Sequence, residues 1–486
     1  RALYLHAALA EIPRLLGAID RNPYRATYGC LDRQFWHYRT ASFPSEMYQE
    51  GALPLALACT TRLPQNPWHG NARVRELAAA AIRFAARSAH RDGSCDDYYP
   101  FERALGAAVF SLEATAHAYQ QLDLDDSNLV AWFGRRAEWI AEHDETGRLS
   151  NHHALAALGL LRAAEITGRN EFRRAAEARL ERLLAWQSEE GWFEEYGGAD
   201  PGYHTLTIDC LVKIRRLTRQ QRLDEPIRRA VAFARWFLHP DGSYAGEYGS
   251  RGTYHFYVHG FELLAEHNAD AADLADGFLH ALANGRDARF SDDRMFVHRL
   301  ANLLEAYRDW SPVRAETADP AESRSARFFA GAGLLARRTA AQHSVVAAAR
   351  GGVFKHFADG RPPVTDAGLI LETADGRLAA SQLHGFGREV VIEGRPIAWG
   401  DRTAEGIDTS ASDFISPAAG QPRKGPPAVD QPAASGSATA TSIEPAAWSG
   451  QLPSSIEISG PLHWARFETV SPWKQTLMHS TMLPVL

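Results

Sequence analysis

The chain has 486 residues, of which 45% are hydrophobic, and its formal net charge is −7. This length allows about two to four domains of ordinary composition, and the acidic balance argues against a general nucleic-acid binder. The longest apolar runs, such as residues 104–110, are too short to cross a bilayer.

Residues 1 to about 310 have the spacing of helices. Apolar residues at Val74, Leu77, Ala81 and Ile82 share one helical face. Together with similar runs they predict helices over 73–89, 104–122, 128–143, 154–167, 171–187, 205–218, 226–238 and 257–266. Strand-like alternation is scarce in this part of the chain.

Four glycines, Gly93, Gly147, Gly191 and Gly242, lie in similar polar turns at intervals of about 50 residues. Such a period fits one helical hairpin of two helices and two loops. Six hairpins would use about 300 residues at that period. The repeat therefore predicts an (α/α) toroid whose inner helices ring a cavity. The glycine turns would lie on one rim, where ligand sites tend to form.

After about residue 312 the pattern changes to short strands. Alternating or apolar runs lie at 344–349, 369–373, 377–382, 389–392, 456–458 and 465–467. Asp375-Gly376 is a hairpin signal. The chain is thus predicted to be an α+β multidomain protein, with the toroid over 1–312 and an antiparallel β-sandwich over 313–486. The segment 411–447 is rich in Pro, Ser, Ala and Gly and is predicted to be a flexible insert.

Two short motifs carry most of the functional signal. Asn151, His152 and His153 open one predicted inner helix, and Tyr203 and His204 open another. An amide, imidazoles and a phenol on one rim are suited to removing a proton from a carbon beside a carboxylate.

These motifs resemble the heparinase II/III-like polysaccharide lyases, which include alginate and heparan lyases. The Asn-His helix start, the Tyr-His segment and the gap of about 50 residues between Asn151 and Tyr203 are similar to the family pattern. Residues 365–369 and the turn at Asp375 resemble the start of its β-sandwich. The resemblance is strong around 92–105, 148–212, 241–262 and 343–395. It implies a bacterial enzyme, periplasmic or secreted, that acts on an anionic polysaccharide or oligosaccharide; no signal peptide is visible in this chain.

The family usually contributes a β-domain histidine in a His-x-His segment that can hold a metal. This chain has no His-x-His segment. The histidines in the corresponding part of the β domain are His343, His356 and His384. The second catalytic group is therefore left open, and we predict no metal and no cofactor. The four cysteines form neither a Cys-x-x-Cys pair nor a disulfide framework. No loop has the Asp-x-Asp-x-Asp-Gly pattern of a calcium site.

By this resemblance the reaction is β-elimination, in which the C5 proton of a uronate is removed and the C4–O bond breaks. Asn151 and His152 would donate to the substrate carboxylate and so lower the barrier. Tyr203 would protonate the C4 oxygen, and in its ionised form it would also be the base. With an ordinary pKa of about 10, that second role needs a cation or donor such as His204, Arg251 or Arg103.

Other rim residues are predicted to bind substrate: Tyr99, Arg103, Trp192, His204, Arg251, Tyr254 and His255. Non-catalytic interpretations stay open for several of them. Asn151 is also a suitable N-cap residue, and Arg103 is as well placed for an internal salt bridge as for a uronate.

Three alternatives remain open on the sequence alone. Rim acids Asp96, Asp97, Glu194, Glu195 and Glu247 would suit a glycoside hydrolase with two carboxylates. A non-catalytic glycan-binding protein has the same fold signals, and a C5-epimerase uses the same proton abstraction without cleavage. The particular polysaccharide, endo or exo action and the oligomeric state are not predicted.

Overall fold

The computed structural model describes residues 1–288, 296–316, 325–339 and 341–368, together with residue 374 and six short strand segments between residues 370 and 465. In these residues the helices are α1 (Ala2–Ala18), α2 (Arg33–Trp36), α3 (Ala52–Thr60), α4 (Ala72–Ser88), α5 (Leu105–Gln121), α6 (Ser127–Glu142), α7 (Ser150–Thr167), α8 (Asn170–Ala185), α9 (Pro201–Thr218), α10 (Asp224–Ala234), α11 (His259–Leu264), α12 (Ala269–Asn284) and α13 (Val297–Asp309). The helices predicted over 73–89, 104–122 and 128–143 are confirmed. Among the described helices, none is long and apolar enough for a membrane span.

Six inner helices of the described residues form a closed ring. Helices α3, α5, α7, α9, α11 and α13 each pack against the next, and α13 packs back against α3. Helices α1, α4, α6, α8, α10 and α12 alternate with them along the chain and lie outside. The burial of each type agrees: α7 buries fourteen of 18 residues, whereas α8 buries five of 16, as expected for an amphipathic outer helix. The predicted α/α toroid is therefore confirmed.

The glycine turns of the repeat support the outer helices. Gly93, Gly191 and Gly242 have φ angles of +92°, +100° and +82°, in the region that glycine adopts without steric cost. A Cβ at these positions would collide with the backbone of α6, α10 and α12, respectively. Gly147 has no such neighbour and departs from the repeat. Gly29 belongs to it instead, because it presses in the same way on α4.

Two inner helices begin about one turn earlier than predicted. Helix α7 starts at Ser150 and α9 at Pro201, so Asn151, His152 and Tyr203 lie in first helical turns. The prediction that Asn151 is an N-cap is wrong, because the N-cap position is Leu149, which makes no side-chain cap. Helix α9 has the expected signals: Asp200 accepts a hydrogen bond from the Tyr203 amide at 3.0 Å, and a proline follows it.

The strands of the second half pair antiparallel, as predicted. They are β1 (Ser325–Phe329), β2 (Leu334–Arg338), β3 (Gln342–Ala347), β4 (Val353–Ala358), β5 (Val364–Asp366), β6 (Ile370–Glu372), β7 (Leu378–Ala380), β8 (Glu389–Ile392), β9 (Arg395–Ile397), β10 (Ile456–Ser459) and β11 (His463–Ala465). Their sheets have the orders β1-β2-β3-β4-β5, β10-β8-β9 and β11-β7-β6. Their assembly into a sandwich stays a prediction. The segment 411–447, Asp375-Gly376 and His384 lie outside the described residues.

The five-stranded sheet packs against the toroid near the end of α10. Phe329 on β1 contacts Phe233, with ring centroids 4.9 Å apart, and Arg338 on β2 donates to the Leu238 carbonyl at 2.6 Å. His343 on β3 is buried and hydrogen-bonded to the Trp236 carbonyl at 3.1 Å. Its imidazole therefore belongs to this interface, and its neighbours here are structural.

Candidate active site

Imidazole and phenol side chains gather where the inner helices begin. The first turns of α7, α9 and α13 carry His152, Tyr203 and His298, and His255 lies just before α11. Outer and inner helices alternate along the chain, so the inner helices run in one direction and their N-terminal ends share one rim. Of these four side chains, His298 lines a cavity of about 50 Å³, together with Tyr257.

His152 forms a carboxylate–imidazole pair on this rim. Its Nδ1 lies 2.6 Å from Glu145 Oε1, with side chains 15% and 17% exposed. Burial alone would raise the pKa of Glu145. The hydrogen bond and the charge of His152 act in the opposite direction and outweigh burial, so the pKa is lowered overall. The ring stands edge-on to Phe110, with centroids 5.8 Å apart, and a Cβ on Gly106 would meet it at 2.7 Å. Because Nδ1 is held by Glu145, Nε2 is the nitrogen presented to a ligand.

Asn151 is fully buried and faces the neighbouring loop. Its Nδ2 donates to Glu195 Oε1 at 2.7 Å, and its backbone N–H donates to Oε2 at 3.0 Å. Burial raises the pKa of Glu195 well above its usual range. Glu195 thus caps α7 from a position 44 residues away. The predicted contact between Asn151 and a substrate carboxylate is not supported, because the amide is engaged with Glu195 and its side chain is 0% exposed.

Tyr203 is half-buried among other rings. Its ring centroid lies 5.8 Å from Tyr196 and 5.0 Å from His255. Burial raises the pKa of the Tyr203 phenol well above its usual value, and the Arg251 guanidinium only partly offsets this effect. Burial likewise raises the pKa of Tyr196 to about 12, and the charge of Glu145 adds to it. At neutral pH the phenol of Tyr203 is therefore protonated and suited to donating a proton.

The imidazole packed against Tyr203 is that of His255, whereas the side chain of His204, one of the candidates to assist Tyr203, contacts α10. The Nε2 of His204 is hydrogen-bonded to the Ala230 carbonyl of α10 at 3.0 Å, and its ring packs against Phe233. Burial lowers the pKa of His204 to about 4. His255 is also buried, and burial lowers its pKa to about 3. Both imidazoles are consequently neutral at physiological pH, but only His255 contacts the phenol.

Trp192 and Arg103, which are both predicted to bind substrate, have partners within the protein. Trp192 is 2% exposed, and its indole N–H donates to Glu190 at 2.8 Å, so its faces are not available for stacking on a sugar. Arg103 is ion-paired with Asp92, which agrees with its alternative interpretation as an internal salt bridge. Tyr99, in contrast, is 40% exposed and can meet a ligand.

A lysine of the β region reaches the toroid rim, where the family resemblance implied a histidine. Lys355 on β4 lies 4.9 Å from the ring centroid of Tyr254 and 3.2 Å from Glu247 Oε2. Tyr254 is 38% exposed and its hydroxyl is bonded to Glu247. The next residue, His356, is instead bonded to Ser344 at 2.8 Å, because successive side chains of a strand face opposite sides. Only strand register, which was not assigned from the sequence, could have identified Lys355.

The acids of the hydrolase alternative are each engaged in local structure. Asp96 accepts from the backbone N–H groups of residues 101 and 103, and Asp97 accepts from Ser45 at 2.6 Å. Glu194 pairs with Arg148, Glu195 with Asn151 and Glu247 with Lys355. These contacts do not favour a pair of carboxylates facing each other across the cleft. Over the residues that the structure describes, no three His, Cys, Asp or Glu side chains are grouped as metal ligands.

No family model matches this sequence, and no curated protein matches it either. Among solved structures, the chain is similar to a xanthan lyase from Paenibacillus at 10% identity and a TM-score of 0.47, covering 82% of this chain and 49% of that one. It is also similar to a chondroitin AC lyase from Streptomyces coelicolor A3 in complex with chondroitin sulphate, at 11% identity and a TM-score of 0.49, with 74% and 54% covered.

A type II terpene cyclase from Scytonema is similar at 14% identity and a TM-score of 0.38, with 63% of this chain and 98% of that one covered. The chain spans about half the length of the two lyases. Lyases and a cyclase thus both appear among the similar structures, and at such identities likeness in shape does not identify an activity.

Proposed function

We propose that this protein is a polysaccharide lyase that cleaves a uronic-acid-containing glycan by β-elimination. The observation that supports this most is the rim cluster: a protonated phenol at Tyr203, beside the neutral imidazole of His255, on the same rim as the His152–Glu145 pair. β-Elimination needs a proton donor for the leaving oxygen and a donor or cation for the carboxylate, and this cluster offers both.

The rim also favours an anionic ligand. The inner helices direct their N-terminal ends to it, and a helix N-terminus carries a partial positive charge that attracts anions. Arg251 adds a cation at this rim, 4.7 Å from the Tyr196 ring centroid. The exposed rings of Tyr99 and Tyr254 provide apolar faces of the kind on which pyranose rings pack. The partner is accordingly an anionic polysaccharide or oligosaccharide.

Each rim residue has a distinct part in the proposed reaction. The Nε2 of His152 binds the substrate carboxylate, so that negative charge developing on it as the C5 proton leaves is stabilised. Tyr203 gives its proton to the C4 oxygen as the C4–O bond breaks. Because burial raises the pKa of Tyr203, the phenol stays protonated at neutral pH, and we assign removal of the C5 proton to a separate base.

The proposal is tested by incubating the protein with a panel of uronate polymers. The expected product is an unsaturated uronate, detected by its ultraviolet absorbance, with one new reducing end for each cleavage. New reducing ends without the chromophore would show hydrolysis instead. Deuterium uptake at C5 without cleavage would show an epimerase, and binding with none of these products would show a glycan-binding protein. Any of these three results contradicts the proposal.

A further inference from the structure

A second carboxylate–imidazole pair lies at the cavity and was not identified from the sequence. His298, in the first turn of α13, has its Nδ1 2.7 Å from Glu50 Oε2, and the two side chains are 5% and 9% exposed. Glu50 lies in the 3₁₀ turn Met47–Gly51 that precedes α3. The pair repeats the arrangement of His152 and Glu145, in which an acid holds Nδ1 and leaves Nε2 to meet a ligand.

The two pairs lie on opposite sides of the ring. Counted along the inner helices, α7 and α13 are three places apart in either direction. The ring of Phe110 on α5 lies between them, 5.8 Å from His152 and 5.1 Å from His298 by centroids. One phenyl ring thus bridges the two imidazoles.

His298 also faces the other rim groups. The charge of His298 contributes, after burial, to lowering the pKa of His255, and Glu50 contributes, after burial, to raising the pKa of Tyr257. The deeper wall of the same cavity carries Glu113, Asp209, Lys213 and Glu305. Among these groups, Glu50 is the carboxylate in direct contact with the imidazole. An acid at Nδ1 orients the ring and stabilises the imidazolium, as in acid–histidine–nucleophile triads.

We propose that His298 is the general base that removes the C5 proton and that Glu50 is its positioning residue. This inference rests on the proposed lyase function. The Nε2 of His298 takes the proton from C5, and the C–H electron pair moves into the carboxylate held by His152. It then forms the C4=C5 double bond while the C4–O bond breaks and Tyr203 protonates the leaving oxygen. The imidazolium of His298 and the phenolate of Tyr203 return to their starting forms through solvent.

Neither of the other rim imidazoles suits this step as well. His255 has a pKa lowered to about 3 by burial, and so weak a base is inefficient at neutral pH. His152 is on the opposite wall and is assigned to the carboxylate. A base at His298 therefore approaches the sugar from the side opposite His152, which holds the substrate carboxylate.

The test is the steady-state rate of His298→Ala on a polymer that the wild-type protein cleaves, with and without added imidazole. We expect kcat to fall about 10²–10⁴-fold, KM to change little, and imidazole to restore part of the rate by occupying the vacated space. His280→Ala, the same substitution at an exposed site on α12, is the matched control and should keep the wild-type rate.

Glu50→Gln provides an independent measurement because it keeps the side-chain shape. Without the carboxylate the imidazolium is less stable, so the acidic limb of the kcat/KM profile should move to lower pH. A folded His298→Ala protein with wild-type kcat, or one that imidazole does not rescue, overturns the role of His298 and leaves the lyase function standing. If that variant does not fold, an unshifted acidic limb in Glu50→Gln overturns it. A wild-type protein that yields no unsaturated uronate overturns the lyase function, and this inference with it.

Discussion

The toroid holds two groups of buried charges that differ in what surrounds them. In the interior, Lys213 Nζ lies 2.8 Å from Asp209 and 2.9 Å from Glu305, so the ammonium has acids on two sides. On the rim, His152 and His298 each contact one acid and a shared phenyl ring. Interior charges are therefore compensated by one another, whereas each rim pair keeps one ring nitrogen for a ligand.

This difference separates stability from chemistry. Burial opposes the charge on Lys213, but Asp209 and Glu305 outweigh burial and raise its pKa. Lys213 is thus held between two acids, and its loss would leave both of them buried without a cation. The comparison predicts that rim substitutions change turnover at nearly constant stability, and that interior substitutions do the reverse.

The largest effect is expected for Tyr203→Phe. Removing the hydroxyl deletes the proposed proton donor, so kcat should fall by about 10²–10⁴-fold or more while oligosaccharide binding is largely retained. Steady-state kinetics and calorimetric titration measure the two quantities. Tyr24→Phe is the matched control, because Tyr24 is 95% exposed. A Tyr203→Phe protein with the wild-type rate would remove this residue from the mechanism and erase the proposed contrast between rim and interior.

Lys213→Met should have the largest effect on stability. The substitution leaves Asp209 and Glu305 buried without their cation, and breaking a buried ion pair in this way costs about 3–5 kcal/mol. Urea unfolding measures the change. Arg228→Ala, which breaks an exposed pair with both side chains 60% exposed, should cost about 1 kcal/mol or less. Equal losses for the two variants would mean that the interior charges are not the structural group inferred here.

Acidification should destabilise the fold through its buried neutral imidazoles. His204 has a usual pKa of 6.5 and a folded pKa of about 4 because of burial. Between these values the unfolded chain binds more protons, so stability is lost as pH falls from about 6.5 to about 4. The contribution of one such group is at most about 3 kcal/mol.

His204→Gln keeps a donor for the Ala230 carbonyl and removes the titration. Urea unfolding at about pH 7 and about pH 4.5 should therefore show a smaller acid-induced loss in this variant than in the wild-type protein. An unchanged loss would assign the acid sensitivity to other groups.

The smallest effect is expected for Arg251→Lys at the rim. A lysine keeps the charge but loses the planar guanidinium that lies over Tyr196. KM should rise about three- to tenfold, equivalent to about 1 kcal/mol, with kcat nearly constant. Arg173→Lys on the exposed face of α8 is the control. A fall in kcat without a rise in KM would place Arg251 in the chemical step and not in binding.

Local signals predicted much of the toroid. Apolar periodicity predicts helices such as 73–89. Asp200 followed by a proline is a signal for the start of α9, although apolar spacing alone places that start later, at residue 205. The N-terminus of α7 could not be assigned in this way. Its cap is Glu195, and a cap supplied from a distant loop leaves no mark near Asn151 in the sequence.

The candidate site was predicted only in part for the same reason. His152 and Tyr203 stand in motifs next to helix starts, so their placement on one rim followed from the repeat. His298 and Glu50 are separated by 248 residues, and only closure of the ring brings them together. Trp192 and His204 are both buried, which the sequence does not predict, because composition does not tell which face of a loop or helix an aromatic ring occupies.

Closure of the ring of inner helices has a consequence for how the protein unfolds. Helix α1 packs against α12 and α13, and the Tyr4 hydroxyl donates to Glu262 at 2.6 Å. Linear arrays of helical repeats unravel from their exposed ends, because each unit has only its neighbours to hold it. A circular array offers no such starting point, so the hairpins should melt together in one cooperative transition. The proposed catalytic rim would then keep its arrangement until the whole ring unfolds.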